Sequence, residues 1–182
     1  MSSAPIVLPD REGEHLWFDG GLLTFKATGA HTAGALLLLE VLQPEGKTPP
    51  LHVHPEADET FYVLEGELLV HTAGTEHNVR EGGVVVVPRG TPHSFVVISR
   101  TARILLAFTP ASAVMEDFIR RASQPATDPT LTAPSPDSER YDVAADRSGL
   151  KVLGLSPFEA RRQDAEREAI ARKHERQART RV

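Results

Sequence analysis

The chain has no cysteine. Disulfide bridges, thiolate metal ligands and cysteine nucleophiles are therefore all excluded. Uncharged apolar runs are short throughout, and none approaches the ~18 residues of a membrane-spanning helix. Residues 1–10 lack a basic stretch followed by an apolar one, so no secretory signal is expected and the cytoplasm is the expected compartment. Positive charge is also in deficit. The formal net charge is −5, which gives no reason to expect nucleic-acid binding. Residues 159–182 alone carry eight Lys/Arg against five Asp/Glu, a modest surplus of the kind that usually marks a solvated face. What is present is ordinary globular material. At 182 residues and 40% apolar content, the chain can build one domain with a real core plus appendages.

Short β-branched and apolar runs recur at 22–27, 35–42, 60–64, 67–71, 84–87, 94–99 and 102–108. Turn signals such as Asp19-Gly20-Gly21, Glu65-Gly66, Ala73-Gly74 and Glu81-Gly82-Gly83 separate them. This punctuation predicts an all-β antiparallel sandwich or barrel. The runs 36–39 and 84–87 do not alternate, which predicts cover on both faces, one lining the barrel and the other meeting a partner subunit or a flanking strand. Beyond Phe108 the pattern changes. Thr109-Pro110 predicts a helix start with Pro at the first helical position, and Val114, Met115, Phe118 and Ile119 form a helical stripe. Residues 123–136 have the composition of a linker. Ser135-Pro136 predicts a second helix to about Arg147 with Gly149 near its end. Ser156 to Glu159 has the spacing of a capping box and opens a third helix, polar nearly all round and prone to fray unless a neighbour binds it.

The chemistry is concentrated between residues 46 and 93. In an extended segment, residues two apart point to the same side, so His52 and His54 can aim both imidazoles at one point. Glu59 opens the next strand after a proline-containing bend. A third imidazole, His93, follows Pro88-Arg89-Gly90-Thr91-Pro92 on a different hairpin. Three neutral nitrogens and one carboxylate suit a first-row divalent metal and leave coordination positions free. Glu59 can also serve as a catalytic base toward a bound substrate. Phe61 and Val63 share the parity of Glu59, and Phe95 shares that of His93, which makes all three candidates for an apolar pocket wall. His71 and His77 flank the Ala73-Gly74 turn and are expected at an exposed hairpin tip. His15, His31 and His174 fit no pattern.

Two segments have a specific spacing. The first runs Gly46, five residues, His52, one, His54, four, Glu59, six, Gly66; the second runs Gly82, five, Pro88, one, Gly90, two, His93. They resemble the two motifs of the cupin superfamily, in the compact spacing of microbial single-barrel members, and the likeness covers about residues 35–109. One departure is Val97, where the family often has Asn. The resemblance implies a double-stranded β-helix, or jelly-roll, barrel over residues 1–109 and a C-terminal helical extension over 110–182. It also implies metal ligation by His52, His54, Glu59 and His93. The Glu-Thr-Phe-Tyr-Val-Leu-Glu-Gly run and the tail layout are similar to short bacterial quercetinase-type cupins, in which a Glu acts as base on a metal-bound flavonol.

The expected cofactor is accordingly one divalent transition metal ion, among Fe, Mn, Ni, Co, Cu and Zn. The expected partner is an apolar or aromatic small molecule, with dioxygenase chemistry on enolic or phenolic compounds. The alternative is a non-redox metal-binding cupin: an isomerase, a cyclase, a lyase or a binding protein. A homodimer is expected, with Tyr62 and Leu64 on the outward face.

Overall fold

The structure is a computed structural model that describes residues 5–129, 132–148 and 151–179. Ten strands are laid down before the first helix: β1 (Glu14–Phe18), β2 (Gly21–Ala27), β3 (Leu37–Pro44), β4 (Leu51–Val53), β5 (Asp58–Glu65), β6 (Glu67–Thr72), β7 (Thr75–Arg80), β8 (Val84–Val87), β9 (His93–Val97) and β10 (Thr101–Thr109). There follow α1 (Ala113–Ala122), β11 (Gln124–Pro125), α2 (Ser138–Ser148), β12 (Lys151–Gly154) and α3 (Pro157–Arg179). The strands form two antiparallel sheets, ordered β11-β1-β2-β3-β10-β5-β8 and β12-β4-β9-β6-β7. This is the expected jelly-roll barrel with helices at its C-terminal end.

Strand alternation builds the core in layers. On the inner face of the larger sheet, Leu39 and Phe61 flank Leu106, while Val41 and Val63 flank Ile104. Leu39, Phe61, Val63 and Ile104 are fully buried; each contributes about 1.5–3 kcal/mol by leaving water. Inner residues of β6, Leu68 and Val70, close the opposite side. Hairpins meet the twist of the strands with left-handed residues, as at Asp19-Gly20 (φ 51° and 80°) and Ala73-Gly74 (φ 50° and 80°).

Several expectations are corrected. Among the described residues, no flanking strand covers Val84 and Val86, which are exposed on the single chain because β8 is the outer strand of its sheet and only Val87 turns fully into the core. The first helix does not begin at Pro110, which follows a cis bond at the end of β10. Ser112 is the N-cap instead, its side chain accepting from Met115 N. Phe118 and Ile119 of the stripe are buried, whereas Val114 is exposed. The 123–136 stretch is not all linker, since Gln124 and Pro125 pair with β1. The second helix starts later, at Ser138, with Asp137 Oδ1 accepting from Arg140 N; Gly149 lies outside the described residues. Ser156 does cap α3, its Oγ accepting from Glu159 N at 3.0 Å. The first turn of α3 docks on the β6–β7 hairpin, with Phe158 edge-on to His71 and Arg161 2.6 Å from Glu76. His71 is therefore half-buried, while His77 is exposed. Among the described residues, no helix is long and apolar enough to cross a membrane.

Candidate metal centre

His52, His54, Glu59 and His93 converge. One donor atom from each lies within 4.8 Å of the others, and all four side chains are buried. The smaller sheet supplies two of them as direct cross-strand partners, His52 on β4 and His93 on β9. His54 follows immediately after β4. The bend at 55–57 then carries the chain across to the larger sheet, where Glu59 sits between Phe108 and Val87.

Two contacts fasten the segments together. Gly90 N donates to His54 O at 2.9 Å, which ties the two histidine-bearing loops to each other. Arg89 grips both carboxylate oxygens of Asp58, with Nε 3.0 Å from Oδ1 and Nη2 3.2 Å from Oδ2, and so fixes the start of β5 beside Glu59.

The imidazoles are oriented from behind. His52 Nδ1 donates to Pro50 O at 2.8 Å, and His93 Nδ1 donates to Thr91 O at 2.9 Å. Each bond leaves Nε2 facing the centre, the arrangement by which a carbonyl sets the tautomer of a metal-binding histidine. Glu59 Oε2 lies 2.8 Å from His93 Nε2 and 3.0 Å from His54 Nε2. The second pair lacks hydrogen-bond geometry, so His54 Nε2 is a buried nitrogen with no partner among the described residues. An orphaned imidazole nitrogen aimed at a carboxylate and two further nitrogens fits a divalent cation, which would satisfy all four donors at once.

The electrostatics agree with that fit. Burial, followed by the charge of His93, pushes His52 down to about 3, so its imidazole is neutral at physiological pH, the state that ligation requires. Burial also opposes ionisation of Glu59, but His54 and His93 outweigh it and hold the carboxyl well below its usual range. Burial disfavours the His93 imidazolium, yet Glu59 more than compensates and raises it.

Residues 38–108 match the Cupin_2 family of cupin domains. An RmlC-like cupin from Shewanella frigidimarina NCIMB 400 superposes with a TM-score of 0.54 at 19% identity, covering 63% of this chain and 99% of the other. The barrel has the cupin fold. KdgF from Halomonas sp. superposes on the same barrel, with a TM-score of 0.55 at 20% identity over 62% of this chain and 99% of its own. Among curated relatives, quercetin 2,3-dioxygenase of Bacillus subtilis (strain 168) is 29% identical over 123 residues, which span 68% of this chain and 36% of that protein. The chain thus spans little more than a third of that relative's length.

A cavity of ≈ 70 Å³ opens beside the four side chains and has His52 and Glu59 in its wall. Phe61 and Phe95 line it, edge to face at 5.7 Å. Val63 does not; it is fully buried in the barrel core. Other lining residues escaped the sequence reading. Met115 and Phe118 come from α1, Tyr141 from α2, and Gln43, Asp19 and Lys47 from the β1–β2 and β3–β4 ends. Lys47 Nζ and Asp19 Oδ1 pair at 2.5 Å. Parity could have found Gln43, since Leu39 and Val41 point inward and Gln43 continues their side of β3. No comparable signal exists for Tyr141, whose helix is mostly polar.

Proposed function

We propose that this cupin is a metal-dependent dioxygenase of small aromatic compounds bearing an enolic or phenolic hydroxyl, with flavonols the leading class. The observation that carries this reading is the junction of two unlike surfaces. Two of the converging donors, His52 and Glu59, share a cavity wall with Phe61, Phe95 and Phe108. A hydroxyl directed at the donors leaves its aromatic ring against the apolar wall. The name of the Bacillus subtilis relative supports the reading, at 29% identity.

In this reading His52, His54, Glu59 and His93 hold one divalent transition metal. Bound there, a redox-capable ion supplies dioxygen chemistry and polarises a substrate oxygen. The rest falls to the chain. Pro50 O and Thr91 O hold the His52 and His93 rings in register. Glu59, kept ionised by its histidine neighbours, accepts the proton of the substrate hydroxyl at a carboxylate oxygen. Phe61 and Phe95 orient the ring and keep water away. The cavity has about half the ~150 Å³ that admits benzene in a protein interior, so a ring enters as the wall yields. Met115, unbranched and only partly buried, is the side chain suited to move.

The test is oxygen uptake by metal-loaded protein with quercetin, under air and under argon. The expected result is oxygen consumption that tracks loss of the flavonol absorbance, and loss of activity in Glu59→Gln. Turnover unchanged under argon would sink the dioxygenase reading in favour of an isomerase, cyclase or lyase. Binding without turnover would leave a small-molecule binding protein.

The proposal extends to a homodimer. Tyr62 of β5 pairs with Val84 of β8, and Tyr62, Val84 and Val86 are exposed, whereas Leu64 is half-buried.

A further inference from the structure

Three buried side-chain polar atoms lack a hydrogen-bond partner among the described residues: His54 Nε2, His71 Nδ1 and Gln43 Oε1. The first belongs to the converging donors. The second lies under Phe158, outside the barrel. Gln43 is different, because it is 5% exposed and lines the same cavity as His52 and Glu59. Its neighbours on the inner face of β3, Leu39 and Val41, are aliphatic and buried.

The chain makes room for this amide. A Cβ at Gly21 would lie 2.3 Å from Gln43 Oε1 and 2.6 Å from the backbone Leu42 O, so the carboxamide packs into space that glycine leaves on β2. A buried amide oxygen without a donor weakens the fold relative to an apolar side chain of the same shape. A buried glutamine kept at such a cost makes sense if a ligand supplies the missing donor.

The strand register says where that donor must be. Glu59 is opposite Phe108 on β10, and Gln43 is opposite Ala102. Six positions of β10 separate these points, so the two side chains enter the cavity at different levels. Glu59 and Gln43 therefore mark opposite ends of one cavity.

We propose that Gln43 is a specificity-determining residue whose carboxamide oxygen accepts a hydrogen bond from a hydroxyl at the end of the substrate remote from the metal-binding donors. The preferred ligand is then an elongated polyphenol with hydroxyls at both ends. The inference rests on the aromatic-substrate reading above and adds the position of the second hydroxyl.

Two measurements on metal-loaded protein test it, using Gln43→Met, which keeps the length and removes the acceptor. The first compares the dissociation constants of quercetin and of 3-hydroxyflavone, which lacks the remote hydroxyls. Wild type should prefer quercetin, and Q43M should shrink that preference roughly tenfold with 3-hydroxyflavone affinity unchanged or improved. A preference that survives in Q43M overturns the proposal. The second measurement is the melting temperature without ligand. Q43M should melt at or above wild type, because an unsatisfied group has been removed. A Q43M protein that melts lower, or fails to fold, would show that the amide has a structural partner and would also overturn the proposal. If wild type binds neither flavonol, the substrate reading fails alone, and the melting comparison still decides on Gln43.

Discussion

His52 and His93 face each other directly across β4 and β9, ring centroids 4.3 Å apart, each Nδ1 anchored on the carbonyl two residues upstream in the chain. Neither ring needs to reorient to ligate. Replacing either by alanine should therefore lower divalent-metal affinity by more than the ~10–100-fold that loss of an orienting partner costs. The barrel should stay folded, because its core lies in the aliphatic layers beyond. Elemental analysis after dialysis, with circular dichroism as the folding control, checks this. Full metal content in His93→Ala would remove that residue from the ligand set.

The metal-free protein should lose stability on acidification, and His52 should account for part of the slope. In the unfolded chain it titrates near its ordinary 6.5, whereas the folded site admits a proton only near 3. Between those values the unfolded state binds more protons, so stability falls as pH falls, by up to about 1.4 kcal/mol per unit. His93 works the other way. Its raised folded pKa gives stability present below 6.5 and lost as pH rises through the folded value. Urea titrations of chelator-treated protein between pH 4 and 7 should show a flatter profile for His52→Gln than for wild type. Parallel profiles would show that His52 does not carry the effect.

Gly66 should tolerate no side chain. Its φ is +86°, and a Cβ there would meet Thr101 O at 2.3 Å. Gly66→Ala is expected to destabilise the protein by about 2 kcal/mol or more, read as a drop in melting temperature. An unchanged melting temperature would mean that the β5–β6 turn can relax without cost.

If β8 and the outer face of β5 form the proposed dimer surface, then Val84→Glu with Val86→Glu should give a monomer by light scattering while the barrel stays folded. Both side chains already point to water, so the substitutions disturb no core contact. A wild-type protein that is monomeric at all concentrations would remove the proposal.

The four converging residues were legible because their positions depend on local rules, two-residue alternation in His52-Val53-His54 and the fixed spacing of two hairpins. The inward faces of β3, β5 and β10 were legible for the same reason. What escaped depends on tertiary context. Thr75–Arg80 becomes β7 with one buried residue, Val79, among polar neighbours, so no apolar alternation marked it. Lys151–Gly154 is too short to announce a strand without its partner. Val84–Val87 looked buried on both sides because four valines cannot show which face a sheet edge leaves open. Tyr141 reaches the cavity only because α2 packs over Phe18 and Phe118.

One pairing also sets an order of events. Val152 of β12 lies opposite His52, one hundred positions earlier in the chain. During synthesis the outer edge of that histidine-bearing strand stays unzipped until residues beyond 150 have emerged, long after the rest of the barrel can close. A cut or premature stop before β12 would therefore leave a barrel with its core complete and the His52 strand secured on a single side.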